Sequence, residues 1–253
     1  MFKEKNLTMA ISTNSIIHYT HSLSAIKSIL REGFRVKYCL EELTLKETVS
    51  NAAHPMISFC DIPLSDSQQH FSAYGKYGIG LSKEWARRNG INPVIYIDEN
   101  SLFSKSIGSL LKDRRDKKNT NLTKDQRDEI LRLKSYAKNY SGTLKISGKV
   151  RDYKFYDERE WRLVPNKSML NGNRFSIAST DYKKNKDSYN SKISDIRVNF
   201  SPEDISYIIV KKTSEIPNVI NHLRRSYQKS ATAEELDILF SKICSTEQII
   251  QDF

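Results

Sequence analysis

Two glutamates, Glu158 and Glu160 in the run Tyr156-Asp157-Glu158-Arg159-Glu160-Trp161-Arg162, are the residues of this chain best suited to chemistry. In an extended strand over 155–164 the side-chain period of two sends Glu158, Glu160 and Arg162 to one face and Asp157, Arg159, Trp161 and Leu163 to the other. Two carboxylates on adjacent same-face positions repel, so that face is either solvent or a polar cleft. In a cleft, one carboxylate can hold a ribose hydroxyl or a nucleophile while the other positions it. On an exposed edge, the same alternation of Glu and Arg serves solubility. His18, Tyr19 and Thr20 form a second set, three polar-capable side chains where the strand Ser15–Thr20 meets a helix N-terminus, a place suited to polar or anionic ligands. A lone histidine there also reads as a satisfied structural residue. Ser58 is a hydroxyl in the otherwise apolar run Met56–Phe59, a filler or a site.

The elements that position these groups alternate along the chain. Ser22 caps a helix over 23–31 with Leu23, Ile26, Ile29 and Leu30 on one face and Gly33 as its stop. Residues 35–54 are poorly periodic, and a strand over 55–60 ends before Pro63. A strand over 77–81, a helix from Ser82 with Trp85 inward and a strand over 93–98 follow. Gly75, Gly78 and Gly80 lack the strand-before, helix-after context of a dinucleotide fingerprint. Residues 100–143 read as a basic helical insertion: a helix over 102–111, a charged loop over 112–118, then a capping box from Thr123 to Gln126. That box opens a helix with Ile130, Leu133, Ala137 and Tyr140 in a stripe. Strands over 144–150, 155–164 and 205–210 precede a helical tail, 214–253, with Pro217 in one first turn and a second capping box at Thr232–Glu235. The prediction is a single α+β domain over 1–253 with a mixed sheet, a helical insertion and a helical C-terminal tail.

Composition bounds the function. A chain of 253 residues can bury roughly 75% of its unfolded surface, enough for a real core. Three cysteines fall in no metal-binding spacing, so no metal is expected, a metal-dependent nuclease is disfavoured, and a reducing, cytoplasmic setting is the simple reading. No apolar run reaches signal-peptide or membrane-spanning length, so no membrane partner is expected. The net charge of +11 is uneven: residues 101–160 carry 16 Lys and Arg against 9 Asp and Glu, whereas residues 1–100 carry 11 against 10. Such an excess suits a phosphate-rich partner or serves solubility.

These segments in this order resemble the ADP-ribosyltransferase superfamily. His18-Tyr19-Thr20-His21 and the helix ending at Gly33 are similar to its NAD-binding opening. Tyr77-Gly78-Ile79-Gly80-Leu81-Ser82-Lys83 is similar to its glycine-rich strand and Ser-Lys helix start, and Glu158-Arg159-Glu160 to its Glu-x-Glu strand. More narrowly, Ile57-Ser58-Phe59-Cys60-Asp61-Ile62-Pro63 and the Tyr-Gly-Ile-Gly-Leu-Ser-Lys run resemble the AbiGi-type abortive-infection proteins of bacteria. The resemblance implies the split mixed sheet of those transferases and an anti-phage toxin that uses NAD as co-substrate. Glu160 would hold the ribose and offset its positive charge, Glu158 would orient the acceptor, His18 would hydrogen-bond the adenosine-side ribose, and Tyr19, Thr20 and Ser58 would line the NAD pocket with it. Where these enzymes place a nicotinamide-stacking tyrosine this sequence has Gly80, so the ring must come from Tyr77, Tyr74 or Tyr19, with Tyr77 favoured. The charge map points to nucleic acid, RNA before single-stranded DNA, as acceptor, held by Arg114, Arg115, Lys117 and Lys118 with Tyr136, Tyr140, Tyr153 and Tyr156 for stacking. Protein modification is an alternative, as is a catalytically idle antitoxin or RNA-binding module on the same scaffold. A toxin made in its own host also needs a neutralising antitoxin protein.

Overall fold

Local capping signals start the fold as expected. The strand β1 (Ser15–Thr20) leads into α1 (Leu23–Glu32), where the Ser22 hydroxyl accepts from the Ala25 N–H at 3.2 Å and Gly33 closes the helix at φ 78°. The computed structural model describes residues 12–146 and 149–252. Residues 1–11, read above for a signal peptide, and 147–148, within the expected strand 144–150, lie outside the described residues. After α1 come β2 (Lys37–Leu45), β3 (Thr48–Cys60), α2 (Gln68–Tyr74), β4 (Tyr77–Ser82) and α3 (Lys83–Arg88). Then follow β5 (Ile95–Ile97), α4 (Leu102–Arg115), α5 (Lys124–Ser135), β6 (Ala137–Asn139) and β7 (Glu160–Leu163). The chain continues through α6 (Ser179–Ser191), β8 (Ile205–Val210), α7 (Ile216–Tyr227), α8 (Ala233–Ser241), β9 (Ile243–Ser245) and α9 (Thr246–Asp252).

The architecture is α+β around one mixed sheet in the order β9-β8-β4-β1-β3-β7, with β2 on the outer half of β3. β8 and β9 run parallel, whereas β1 pairs antiparallel with both β3 and β4. β1 and β3 meet at a single bridge, Ile17 opposite Cys60, so the sheet splits there. One half packs α1, α3 and α7 over Ile16, Ile79, Leu81 and Trp85, while Ile17, Tyr19, Phe71 and Ile209 form a smaller core on the other face. The insertion has its own core, where Leu111 of α4 and Ile130 of α5 close over Leu43 and Leu45 of β2.

Four expectations are corrected. The strand predicted over 155–164 begins only at Glu160; residues Phe155–Glu158 form a 3-10 turn, and Arg159 adopts a left-handed conformation with φ 44° and ψ 52°. With that turn, both glutamates reach Lys138. The second insertion helix stops at Ser135, and Ala137–Asn139 instead pairs parallel with β5. Leu133, placed above on the buried stripe, is 51% exposed, and the Asn139 amide is spent on both the N–H and the carbonyl of Thr44. The poorly periodic stretch 35–54 supplies the longest hairpin of the sheet, Lys37–Leu45 with Thr48–Cys60. Finally, the tail 214–253 is not wholly helical, because Ile243–Ser245 adds a parallel edge strand beside β8. No helix of the described residues is long and apolar enough to cross a membrane.

Candidate functional site

A cleft of about 400 Å³ opens where the sheet splits, bounded by His18 and Tyr19 of β1, Ser58 and Cys60 of β3, Tyr74 of α2, Glu158 and Glu160. Leu40, Leu144 and Phe155 give it an apolar wall. The volume falls at the lower end of the range for ligand sites. Its floor crosses the gap between the sheet halves: the His18 Nδ1–H donates to the Ser58 carbonyl at 2.8 Å. A carbonyl can only accept, so in the neutral ring Nε2 is the remaining acceptor. Burial holds the His18 pKa below its ordinary value, so the neutral ring dominates at pH 7.

Beside it lies an ionic cluster on which Glu158 and Glu160 converge. Lys138 Nζ donates to Glu158 Oε2 at 2.5 Å and to Glu160 Oε2 at 2.8 Å. Arg162 grips Glu160 with a fork, Nε to Oε1 at 2.7 Å and Nη2 to Oε2 at 3.0 Å, and its Nη2 also reaches Glu41 at 2.6 Å. Tyr74 donates its hydroxyl to Glu158 Oε1. These groups are out of water: Glu158 is 2% exposed, Glu160 5% and Arg162 0%. Burial by itself raises the Glu160 pKa, but Arg162 and Lys138 outweigh it and hold the carboxyl well below the usual range. For Lys138, desolvation opposes the charge and the two glutamates outweigh it, so its pKa is raised. The polar-cleft alternative for the Glu-x-Glu face is therefore the one realised, with the repulsion relieved by shared cations.

Of the residues singled out from sequence, His18, Tyr19, Ser58, Glu158 and Glu160 line this cleft. The Tyr19 hydroxyl turns away to Ser67 Oγ at 2.9 Å, leaving its ring as cleft wall. Thr20 does not line it. Tyr77 is a correction: its side chain is buried in the main core and its hydroxyl donates to Glu215 at 2.8 Å. Strand alternation explains this, since Tyr77 and Ile79 share the core face while Gly78 faces Ile17 and Tyr19. Of the three candidate tyrosines, Tyr74 and Tyr19 reach the cleft and Tyr77 does not. Sequence reasoning missed Lys138, set in an expected helix; a lone lysine between Ala137 and the amide of Asn139 carries no motif.

Of the four cations expected to hold nucleic acid, the basic insertion ties one donor of each of the two arginines to neighbouring neutral groups and leaves the two lysines in solvent. The four residues belong to a lengthened α4 and its end, and Arg114 Nε is spent on the Arg127 carbonyl at 3.0 Å and Arg115 Nη2 on Ser50 Oγ at 2.9 Å. Lys117 and Lys118 are exposed. Tyr140 and Tyr156 stack on each other with ring centres 5.5 Å apart, so these rings are occupied. Lys134 is buried, and its Nζ lies 3.1 Å from His54 Nε2. Desolvation lowers the Lys134 pKa to about 8. Lys134→Met relieves that burial cost and removes the donor to His54, two opposed effects, so urea unfolding should place it within about 1 kcal/mol of the parent at pH 7. Because the folded-state pKa lies below the unfolded one, the parent should gain stability as pH rises from about 8 to 10, and the variant should lose that rise.

Among the described residues no group of three or more His, Cys, Asp and Glu side chains could hold a metal ion, and Cys39, Cys60 and Cys244 are free thiols. No solved structure matches this chain. A family profile described as "Putative abortive phage resistance protein AbiGi, antitoxin" matches residues 32–211, a span that holds Ser58, Tyr74, Lys138, Glu158, Glu160 and Arg162 and leaves β1 outside. The chain is also 30% identical over 227 residues, 79% of its length and 88% of the relative's, to the abortive phage resistance protein AbiGi of Lactococcus lactis subsp. cremoris. With the ionic cluster and most of the sheet inside the matched span, the chain belongs to the AbiGi family of abortive phage resistance proteins.

Proposed function

We propose that this chain serves anti-phage defence on the antitoxin side, restraining a partner toxin, and that its cleft binds without breaking a bond. The observation that carries this reading is the state of Glu160. Arg162 and Lys138 take three of the roughly four acceptor positions of its carboxylate. A carboxylate that offsets an oxocarbenium-like ribose must direct its charge at the substrate, and here two protein cations already face it. The family description, which ends in the word antitoxin, agrees.

A second reading, NAD-dependent ADP-ribosyl transfer on the split sheet of that superfamily, draws on a different observation. Five residues chosen from sequence for that chemistry share one cleft, and Glu41, Glu158 and Glu160 against Lys138 and Arg162 leave one net negative charge beside it. The residues fit the dinucleotide in part. Ser58 and the Tyr74 ring would face its nicotinamide end and His18 its adenosine-side ribose, whereas Thr20 and Tyr77 lie off the cleft.

Expression of the chain alone in a bacterial host separates the two. The antitoxin reading expects unimpaired growth, relief of the arrest caused by the partner toxin, and nicotinamide release from labelled NAD no faster than by Glu160→Gln. Arrest on expression alone that Glu160→Gln lifts, with nicotinamide release falling about 10²–10⁴-fold in that variant, would overturn it in favour of transfer.

A further inference from the structure

A second concavity, a groove of about 810 Å³ between β2 and α6, shares Cys39 and Leu40 with the cleft, so the two border the same strand. Its walls bring together Arg35, Lys37, Lys183 and Lys186, with Asp187 as the one carboxylate lining it. Lys183 and Lys186 flank a kink at Asn185, where α6 leaves helical geometry with φ −134° and ψ 32°, and both line the groove together with Asn190. Among the described residues, none of the four cations is held in an ion pair, in contrast to Lys138 and Arg162. Arg35 donates through Nη2 to the Asn190 carbonyl at 3.1 Å, and its Nε finds no acceptor. Tyr38 and Tyr182 are buried, their hydroxyls spent on the carbonyls of Arg174 and Tyr38, so the groove has no free ring for stacking.

We propose that this groove binds the sugar–phosphate backbone of a single-stranded nucleic acid, the cations tracking successive phosphates toward the cleft mouth at Cys39 and Leu40. A concave path lined by unpaired cations fits one flexible strand better than a rigid duplex, whose phosphates lie on a convex surface. Contacts confined to phosphates carry no base information, so the binding is sequence-tolerant. The groove lies outside the basic insertion, and this binding stands whether or not the cleft breaks a bond.

Fluorescence anisotropy of the full chain with labelled oligouridine and oligothymidine of about 12 nucleotides, and with a duplex of the same length, tests this between about 50 and 200 mM salt. The double variant Lys183→Ala/Lys186→Ala, which removes two exposed side chains, is expected to bind about tenfold or more weakly at the lower salt. Its log–log salt slope should be flatter by about 1.4, the loss of two single-strand phosphate contacts. The control Lys117→Ala/Lys118→Ala, which removes the same charge from the end of α4, should match the parent. Preference for RNA or for DNA identifies the source of the phosphates, and either supports the assignment. Absence of binding at the lower salt, tighter binding of the duplex, or equal losses in both double variants would overturn it.

Discussion

Lys138→Met is expected to cost about 3–5 kcal/mol, a fall in Tm of roughly 6–20 °C for a chain of this length, although a single side chain of a short strand is all that changes. The reason is what the lysine leaves behind. Glu158 and Glu160 are both buried and both accept from its Nζ, so without it two like charges face each other in a site that water barely reaches. Glu160 keeps Arg162, whereas Glu158 keeps the Tyr74 hydroxyl and no cation. The pH dependence follows from the two shifts. The depressed carboxyl of Glu160 contributes stability that is present above the ordinary carboxylate range and is lost as pH falls below about 4. The raised ammonium of Lys138 contributes stability that is complete below about pH 10.4 and is lost as pH rises further, through its folded-state value. The deficit of the variant should therefore be widest across the neutral range and narrow at both ends. Urea unfolding at several pH values measures it, and a flat difference across the range would mean that the lysine acts by packing. The contrast with Lys134, four residues away and also buried but with no carboxylate bonded to it, isolates the carboxylates as the cause.

How much of this was legible in the sequence depends on whether the signal was local. Ser22, Gly33 and the capping boxes at Thr123 and Thr232 act within one turn of themselves, and each holds where it was read. The convergence of Glu158 and Glu160 was also legible, but through the wrong backbone: the left-handed Arg159, not a continuous strand, aims both at Lys138. Lys138 itself was hidden because Ile130, Leu133, Ala137 and Tyr140 mimic a helical stripe that β6 interrupts. The hairpin over 37–60 was hidden for a different reason. The inner end of β3 pairs with β1 and β7 and its outer end with β2, so its buried positions follow two environments rather than one period. The basic groove could not be read at all, because Lys37 and Lys183 are brought together only by the packing of α6 on β2.

Arg162→Lys is expected to destabilise by about 2–4 kcal/mol and Arg162→Met by about 3–5 kcal/mol, and the near-equality of the two is the informative result. Arg162 is fully buried and spends its guanidinium on four bonds: two to Glu160, one to Glu41 and one to the Ser135 carbonyl at 2.8 Å. Lysine keeps the charge but replaces a planar fork with a single point, so it can satisfy Glu160 or Glu41 but not both in their present places. If charge alone mattered, the lysine variant would unfold like the parent. The Ser135 bond adds a second consequence, because it ties β7 to the end of α5, where the chain leaves the helix and turns into β6 to present Lys138. Loss of the fork should therefore loosen Lys138 as well, and amide exchange across Tyr136–Asn139 should accelerate in both variants. Arginine does not titrate in the accessible range, so the deficit should narrow only in acid, as the carboxylates protonate, and persist in alkali. That one-sided profile, against the two-sided one of Lys138→Met, assigns the two cations separate parts in one cluster: Arg162 fixes where Glu160 stands, and Lys138 makes it possible for Glu158 to stand beside it.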